Sequence, residues 1–220
     1  MLDPNTPVND LLQDVSVPDF EGVAVTLEHL ATHYGSLPNM PENRTDAATI
    51  ESPAQDYSRA LLNEYLAGVM LAQAPGSQYS YSNIGSGLLG LALVDVTNAM
   101  NYDQLLKRLF IQPLGLTRTG TNQASFLNEV GENISKGYGG MNNQSEVDFA
   151  DMGVLAGAGE VLSTGEDMAK FLKVMMGLKP FAVEGAVERS LESRGAGQGM
   201  LDIGYGWNIQ IDETPSWEKS

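Results

Sequence analysis

Tyr57, Leu61, Leu62, Tyr65, Leu66, Val69 and Met70 recur at the spacing of one helical face, which predicts a helix that runs to about Ala72 and stops before Pro75-Gly76. From Ile84 to Thr97 the pattern is apolar nearly all round, as in a helix buried at the centre of a domain. Leu27, Leu30 and Ala31 behind Thr26 predict a short helix with Thr26 as its N-cap, ending near Gly35. Tyr102 to Phe110 reads as a further helix with Leu105, Leu106 and Leu109 inward and Pro113 as its stop. Ser163 and Glu166 read as a capping box ahead of Met168, Phe171, Leu172 and Met175, a helix through about Gly177. Residues 1 to 20, rich in Pro, Asp and Asn around Val8, Leu11 and Leu12, should lie extended over a surface. Residues 38 to 56 carry no period and read as a long surface loop. Residues 118 to 160, with many Gly, Asn and Ser, predict loops and short strands, and Tyr205 to Ile211 alternates like a strand.

Composition narrows the class. The chain's 220 residues fit one domain, or one and a part, at ~150 residues each. A hydrophobic fraction of 42% supplies a core. Twelve basic against 28 acidic residues leave a net charge of −16, spread without an acidic block. Such a field repels phosphate and argues against nucleic acid and anionic membrane surfaces as partners. The absence of cysteine removes disulfides, thiol catalysis and cysteine-ligated metal sites. The longest apolar stretch, near Ile84 to Val94, is interrupted by Gly and Ser and falls short of the ~20 residues a membrane span needs. Met1 to Asp14 does not read as a signal peptide, because Asp, Pro and Asn stand where basic and then apolar residues would be.

Three segments carry candidate chemistry. Gly85-Ser86-Gly87-Leu88-Leu89-Gly90 fits the dinucleotide fingerprint, with Asp103 further on. The stretch before it, Gln78 to Asn83, is polar rather than a buried strand, and a second helix follows it. Close packing of a buried helix is therefore the expected role of these glycines. His29 and His33, four apart, have the spacing of a helical zinc pair, but Leu30 follows His29 where a metallopeptidase has Glu and no third ligand is evident. Capping or a buried hydrogen bond is the expected role. Pro75 to Asn83 is a tight turn and a polar, aromatic stretch set on the base of the most buried helix. Tyr81 and Asn83, two apart on an extended stretch, should point to the same side. A phenol there can carry protons if cations lie nearby, and an Asn amide can orient a substrate amide.

These residues also resemble a family. Thr26-Leu27-Glu28-His29-Leu30-Ala31-Thr32-His33 with Leu37-Pro38 is similar to the T-L-x-x-L-L-T-H-T-S-G-L-P segment of the class C β-lactamase and penicillin-binding-protein superfamily, and Tyr81-Ser82-Asn83 resembles its Tyr-x-Asn motif. Pro113-Leu114-Gly115-Leu116 with Thr119 resembles its P-L-G-M-x-x-T. Gly157-Ala158-Gly159 through Ser163-Thr164 and Asp167-Met168-Ala169 resembles G-G-x-x-S-T-x-x-D-M-A, and Gly204-Tyr205-Gly206-Trp207 resembles Y-G-L-G-W. The blocks follow the family order, and the likeness is closest to carboxypeptidase and esterase members.

The resemblance implies an α+β chain: a mostly helical lobe of the β-lactamase/transpeptidase-like fold with only part of its antiparallel sheet. Residues 1–220 would be one domain truncated at both ends, with the helical lobe over 26–178 and sheet strands starting in 201–220. It implies a serine hydrolase that opens D-alanyl-D-alanine peptides, β-lactams or esters through an acyl-enzyme, without metal or organic cofactor, in the periplasm or outside the cell. Tyr81 would move the proton, Asn83 would hold the substrate amide, Lys219 would stabilise the Tyr81 phenolate and bind the substrate carboxylate, and Ser220 would hydrogen-bond that carboxylate. The sequence departs from the family in two places. No Ser-x-x-Lys precedes Tyr81, the single instance being Ser216-Trp217-Glu218-Lys219, and Tyr34-Gly35-Ser36 stands where the family has Thr-Ser-Gly. The 220 residues are therefore expected to be inactive for want of the nucleophile. A non-catalytic module for cell-wall peptides or a partner protein is the alternative.

Overall fold

The computed structural model describes residues 2–49, 52–131, 134–139, 145–181, 183, 185–199 and 201–210. Helix α1 (Leu27–Ala31) starts where the Thr26 hydroxyl accepts the His29 N–H while the His29 ring accepts the Thr26 N–H, so the expected N-cap is present with histidine closing the box. It ends at Ala31, short of Gly35, because His33 takes a left-handed backbone and the Tyr34 N–H closes back on the His29 carbonyl. Helix α2 (Arg59–Ala67) is capped by Ser58 and stops before Ala72, at Gly68, whose N–H closes on Tyr65. Met70 therefore lies beyond the helix, 92% exposed. Helix α3 (Asn83–Thr97) runs from a Ser82 cap to a left-handed Asn98 and buries Ile84, Leu88, Leu91, Ala92 and Val94. It is the central helix that its all-round apolar pattern predicts.

Its small residues serve packing, as expected. A 3-10 turn over Gly153–Ala158 lies across α3 so closely that a Cβ on Gly87 would stand 2.5 Å from Leu155 Cδ2, and one on Gly90 would stand 3.2 Å from the Gly157 Cα. Residues 78–82 form no strand and a helix follows α3, so the context a dinucleotide fingerprint requires is missing. The N-terminal segment is less extended than expected, with a turn at Pro4-Asn5 closed by the Thr6 N–H on the Asp3 carbonyl and a 3-10 turn at Val8–Asp10, and it contributes more than a surface strap: Val8, Leu12, Val15 and Val17 join the core. The described residues of the loop over 38–56 are tied to one another and to Tyr57. The Tyr57 hydroxyl donates to Asn43 Oδ1 at 2.6 Å, burial pushes that phenol up to about 12, and the Thr45 hydroxyl donates to the Gln55 carbonyl.

Helix α4 (Tyr102–Leu106) widens into a π turn over Lys107–Ile111, closed by the Gln112 N–H on the Lys107 carbonyl, and continues as α5 (Gln112–Leu114) to a left-handed Gly115. Pro113 is thus inside the helix and not its stop. The wider turn relieves the clash of its ring with the preceding carbonyls. The same extra residue rotates the apolar face, so Leu105 and Ile111 are buried and Leu109, expected inward, is 50% exposed.

Helix α6 (Gln123–Val130) replaces part of the expected loop, followed by β1 (Gly137–Gly139) and β2 (Ser145–Val147), an antiparallel pair with Tyr138 opposite Glu146. Helix α7 (Gly165–Met175) is capped by Thr164 and not by Ser163, whose hydroxyl bonds Thr119 instead. Glu166 pairs with Arg118 and Lys170 and does not close a capping box. Met168 and Leu172 face outward, while Val174 and the wholly buried Asp167 face in. Helix α8 (Ala186–Leu191) has no counterpart in the apolar period of the sequence. Strands β3 (Asp202–Ile203) and β4 (Asn208–Ile209) form a hairpin in place of one strand from 205 to 211: Tyr205 to Trp207 is its turn, with Gly206 at a φ of 73°. The described chain is α+β, mainly helical with two small antiparallel sheets.

Candidate functional site

The stretch from Pro75 to Asn83 is fixed by its backbone. Gly76, at a φ of 86°, donates its N–H to the Tyr34 carbonyl at 2.8 Å, and Ser80 donates to the His33 carbonyl at 2.8 Å. Ser82 is the anchor: its hydroxyl donates to the Pro38 carbonyl at 2.6 Å and accepts the Gly85 N–H at 2.9 Å, so the N-cap of α3 is tied to the loop beyond α1. The Ser82 N–H donates to His33 Nδ1 at 3.3 Å. Asn83, the first residue of α3, donates its N–H and its Nδ2 to Asn39 Oδ1, and the Ile84 N–H donates to the Asn39 carbonyl.

On this base Tyr81 and Asn83 do face the same side. The Tyr81 hydroxyl donates to Asn83 Oδ1 at 3.2 Å, and the Tyr81 side of the pair is half exposed, open to a ligand from solvent. A phenol hydrogen-bonded to an amide, both held by main-chain contacts, can pass a proton and orient an acyl group. Lys219 and Ser220, and Ser216 with them, lie outside the described residues.

The two histidines do not meet at a metal. Each spends Nδ1 on a backbone N–H, of Thr26 for His29 and of Ser82 for His33, and burial holds both below the ordinary histidine pKa. Among the described residues no group of three His, Cys, Asp or Glu side chains has the geometry to hold a metal ion. No helix among them is long and apolar enough to cross a membrane.

Two of the other sequence blocks meet each other, away from Tyr81. The Thr119 hydroxyl contacts Ser163 at 2.8 Å and Asp167 Oδ2 at 2.9 Å, the Arg118 N–H reaches the same oxygen at 2.7 Å, and Lys170 takes Oδ1 at 2.8 Å. Burial raises the Asp167 pKa, but these donors outweigh it and the carboxyl sits below the usual range. Trp207 stacks on Phe171 at 6.1 Å. Asn39 is the site residue that sequence reasoning missed. Its position next to Leu37-Pro38 was the available signal, but its partner lies 44 residues away.

The family model described as Beta-lactamase matches residues 1–218. Over 104 residues the chain is 34% identical to the D-alanyl-D-alanine-carboxypeptidase/endopeptidase AmpH of Escherichia coli (strain K12), a match covering 47% of this chain and 26% of that protein. A beta-lactamase/D-alanine carboxypeptidase from Pseudomonas syringae superposes with a TM-score of 0.73 at 20% identity, over 94% of this chain and 53% of that one. The octameric penicillin-binding protein homologue from Pyrococcus abyssi gives 0.72 at 21% identity, over 95% of this chain and 48% of that one. The chain thus spans about a quarter of the curated relative it matches and about half of each solved structure. These structures share its fold, the β-lactamase/transpeptidase-like one.

Proposed function

The chain belongs to the beta-lactamase family, and on that premise we propose that it carries the Tyr-x-Asn part of a serine hydrolase site acting on a D-alanyl peptide, a β-lactam or an ester. The observation that supports this most directly is the 3.2 Å hydrogen bond from the Tyr81 hydroxyl to Asn83 Oδ1 at the base of the buried helix. In this reading a serine oxygen bonds to the substrate carbonyl carbon, the bond from that carbon to the leaving nitrogen or oxygen breaks, and Tyr81 carries the serine proton to the leaving group. Water then releases the acyl group by the reverse proton path. Asn83 orients the substrate amide. Lys219 stabilises the phenolate and, with Ser220, holds the substrate carboxylate. No Ser-x-x-Lys precedes Tyr81 within the 220 residues, so in this reading the nucleophile is supplied from outside them. The site of action is the periplasm or the cell exterior, where such peptides are found.

The missing Ser-x-x-Lys is also the one observation that favours a non-catalytic module binding cell-wall peptides. Intact-mass analysis with a fluorescent penicillin separates the two. The 220 residues alone should give no adduct, and the same chain joined to its encoded upstream sequence should give one adduct per molecule on a serine. In that longer chain Tyr81→Phe should slow acylation by ~10²- to 10⁴-fold. It should cost no more than ~1 kcal/mol of stability. Tyr79→Phe, altered in the same polar stretch, should acylate like the parent. Equal small losses in the two variants would remove Tyr81 from the chemistry. Reversible binding with no adduct in the longer chain would make the protein a binding module.

A further inference from the structure

His33 touches the Tyr-x-Asn stretch at more points than any cap or metal role requires. Its carbonyl accepts the Ser80 N–H at 2.8 Å and its Nδ1 accepts the Ser82 N–H at 3.3 Å, so main chain and side chain grip alternate residues of the same stretch. Its ring lies 4.5 Å from that of Tyr81, tilted by 42°, and meets Tyr79 edge-on at 5.8 Å. The backbone of His33 is left-handed, with φ at 60°. That conformation is uncommon outside glycine and persists where surrounding structure fixes it. It is what swings the ring from the end of α1 back against Tyr81.

The chemistry of the ring fits a support and not an acid or base. An Nδ1 that accepts an N–H leaves the neutral ring's proton on Nε2. Burial favours that neutral form, and among the described residues no carboxylate pairs with His33. Among the described residues, the titratable groups in ring contact with it are the phenols of Tyr79 and Tyr81. Tyr81 itself is half exposed, and its hydroxyl is held by Asn83. With the ring behind it and the Ser82 N–H held, the phenol has a fixed pivot. With neither, it can swing away from Asn83 toward solvent.

We propose that His33 is a positioning residue for the acyl-transfer chemistry, holding the Tyr81 phenol at Asn83 by accepting the Ser82 N–H and backing the Tyr81 ring. The proposal rests on the serine-hydrolase reading above. Its test uses the full-length protein that acylates, comparing the parent with Tyr81→Phe, His33→Ala and His33→Asn. Asn is the discriminating replacement, because it tolerates a left-handed backbone and places Oδ1 where Nδ1 stood.

His33→Ala should slow the first-order acylation step by about 10- to 100-fold, the scale of a small misplacement of a reacting group. Affinity in the complex before acylation should hold within about threefold, since His33 is placed against the Tyr81 ring and the Ser82 N–H and is given no contact with substrate. His33→Asn restores the acceptor but not the ring, so it should recover part of the lost rate, while amide exchange at Ser82 should quicken in His33→Ala and be restored in His33→Asn. A residue that serves only stability would lower the melting point and the active fraction, leave the rate per active site unchanged, and show no rescue. Acylation by His33→Ala at the parent rate while Tyr81→Phe is impaired would overturn the positioning role alone. An unimpaired Tyr81→Phe would overturn the catalytic reading, and this role with it.

Discussion

Ser82, the middle residue of Tyr-x-Asn, does more to hold the site than either flanking side chain. It is buried, and its hydroxyl both donates to the Pro38 carbonyl and caps α3, so Tyr81 and Asn83 hang from a fixed point between them. Asp167 plays the matching part at the other end of the chain. It has no exposed surface, and it gathers the Arg118 N–H, the Thr119 hydroxyl and the Lys170 ammonium onto one carboxylate. Burial pushes its pKa up, the three donors outweigh that, and the result lies below the usual carboxyl range. Between the lowered folded value and the ordinary unfolded one, the unfolded chain binds more protons, so stability rises with pH there. The contribution is complete above the ordinary carboxyl pKa and is lost as pH falls through the lowered one. Urea melts from pH 7 down to pH 2.5 should show that loss in the parent. Asp167→Asn keeps the acceptor but not the charge, and should lower stability by ~1–3 kcal/mol at pH 7. Its stability should also fall less steeply in acid. Parallel curves for the two proteins would show that Asp167 is not the group responsible.

Among the elements, those with a local signature were legible in the sequence and those set by distant contacts were not. The central helix α3 is readable because apolar residues surround it on all sides, and the Thr26 cap because a hydroxyl before an apolar period is a local signal, whereas the Ser58 cap of α2 is not, the helical face starting one residue earlier at Tyr57. Helix α6 buries only Phe126, so it offers no repeating face to read. The π turn at Lys107–Ile111 hides in an ordinary helical pattern and reveals itself only in which leucine faces out. The choice of Thr164 over Ser163 as a cap depends on Thr119, 44 residues earlier. The candidate site divides the same way: that Tyr81 and Asn83 share a side is readable from their spacing, whereas the hold of His33 on Ser82 crosses 49 residues. The packing of α3 gives the element-scale test. A Cβ on Gly87 would meet the Leu155 Cα at 2.9 Å as well as its side chain, so the 3-10 turn itself must move. Gly87→Ala should cost ~1–3 kcal/mol, the range for overpacking a core. Gly165, in the first turn of α7, has nothing within 4 Å of the same position and no left-handed backbone. Gly165→Ala should therefore gain ~0.4–1 kcal/mol by restricting the unfolded chain. Denaturant melts measure both, and a neutral Gly87→Ala would show that α3 and the turn pack more loosely than this.

Over the whole molecule the dominant long-range force is the chain's own charge. Its 28 acidic and 12 basic residues leave −16, and Arg59, Lys107, Arg118, Lys136, Lys170 and Arg194 are already paired with carboxylates among the described residues. Carboxylates therefore outnumber the cations that could pair with them, and folding brings them closer together. The same field opposes a substrate that carries a carboxylate, which is why the proposed site needs a cation such as Lys219. Salt acts on both sides of the balance. The screening length falls from ~30 Å at 0.01 M to ~8 Å at 0.15 M, which removes most of the long-range repulsion. The exposed ion pairs weaken too, but each is worth only ~0–1 kcal/mol. The Arg59–Asp95 pair, whose carboxylate is largely buried, is the least screened of them. Repulsion outweighs the ion pairs, so the melting temperature should rise by about 2–4 °C between 10 and 150 mM sodium chloride, or ~1 kcal/mol for a chain of this size. Calorimetry at fixed pH 7 measures it, with chloride chosen because sulfate would add a separate effect on apolar burial. A melting temperature that falls with salt would mean that the ion pairs win instead, and that the acidic side chains are spaced widely enough on the folded surface to leave it unstrained.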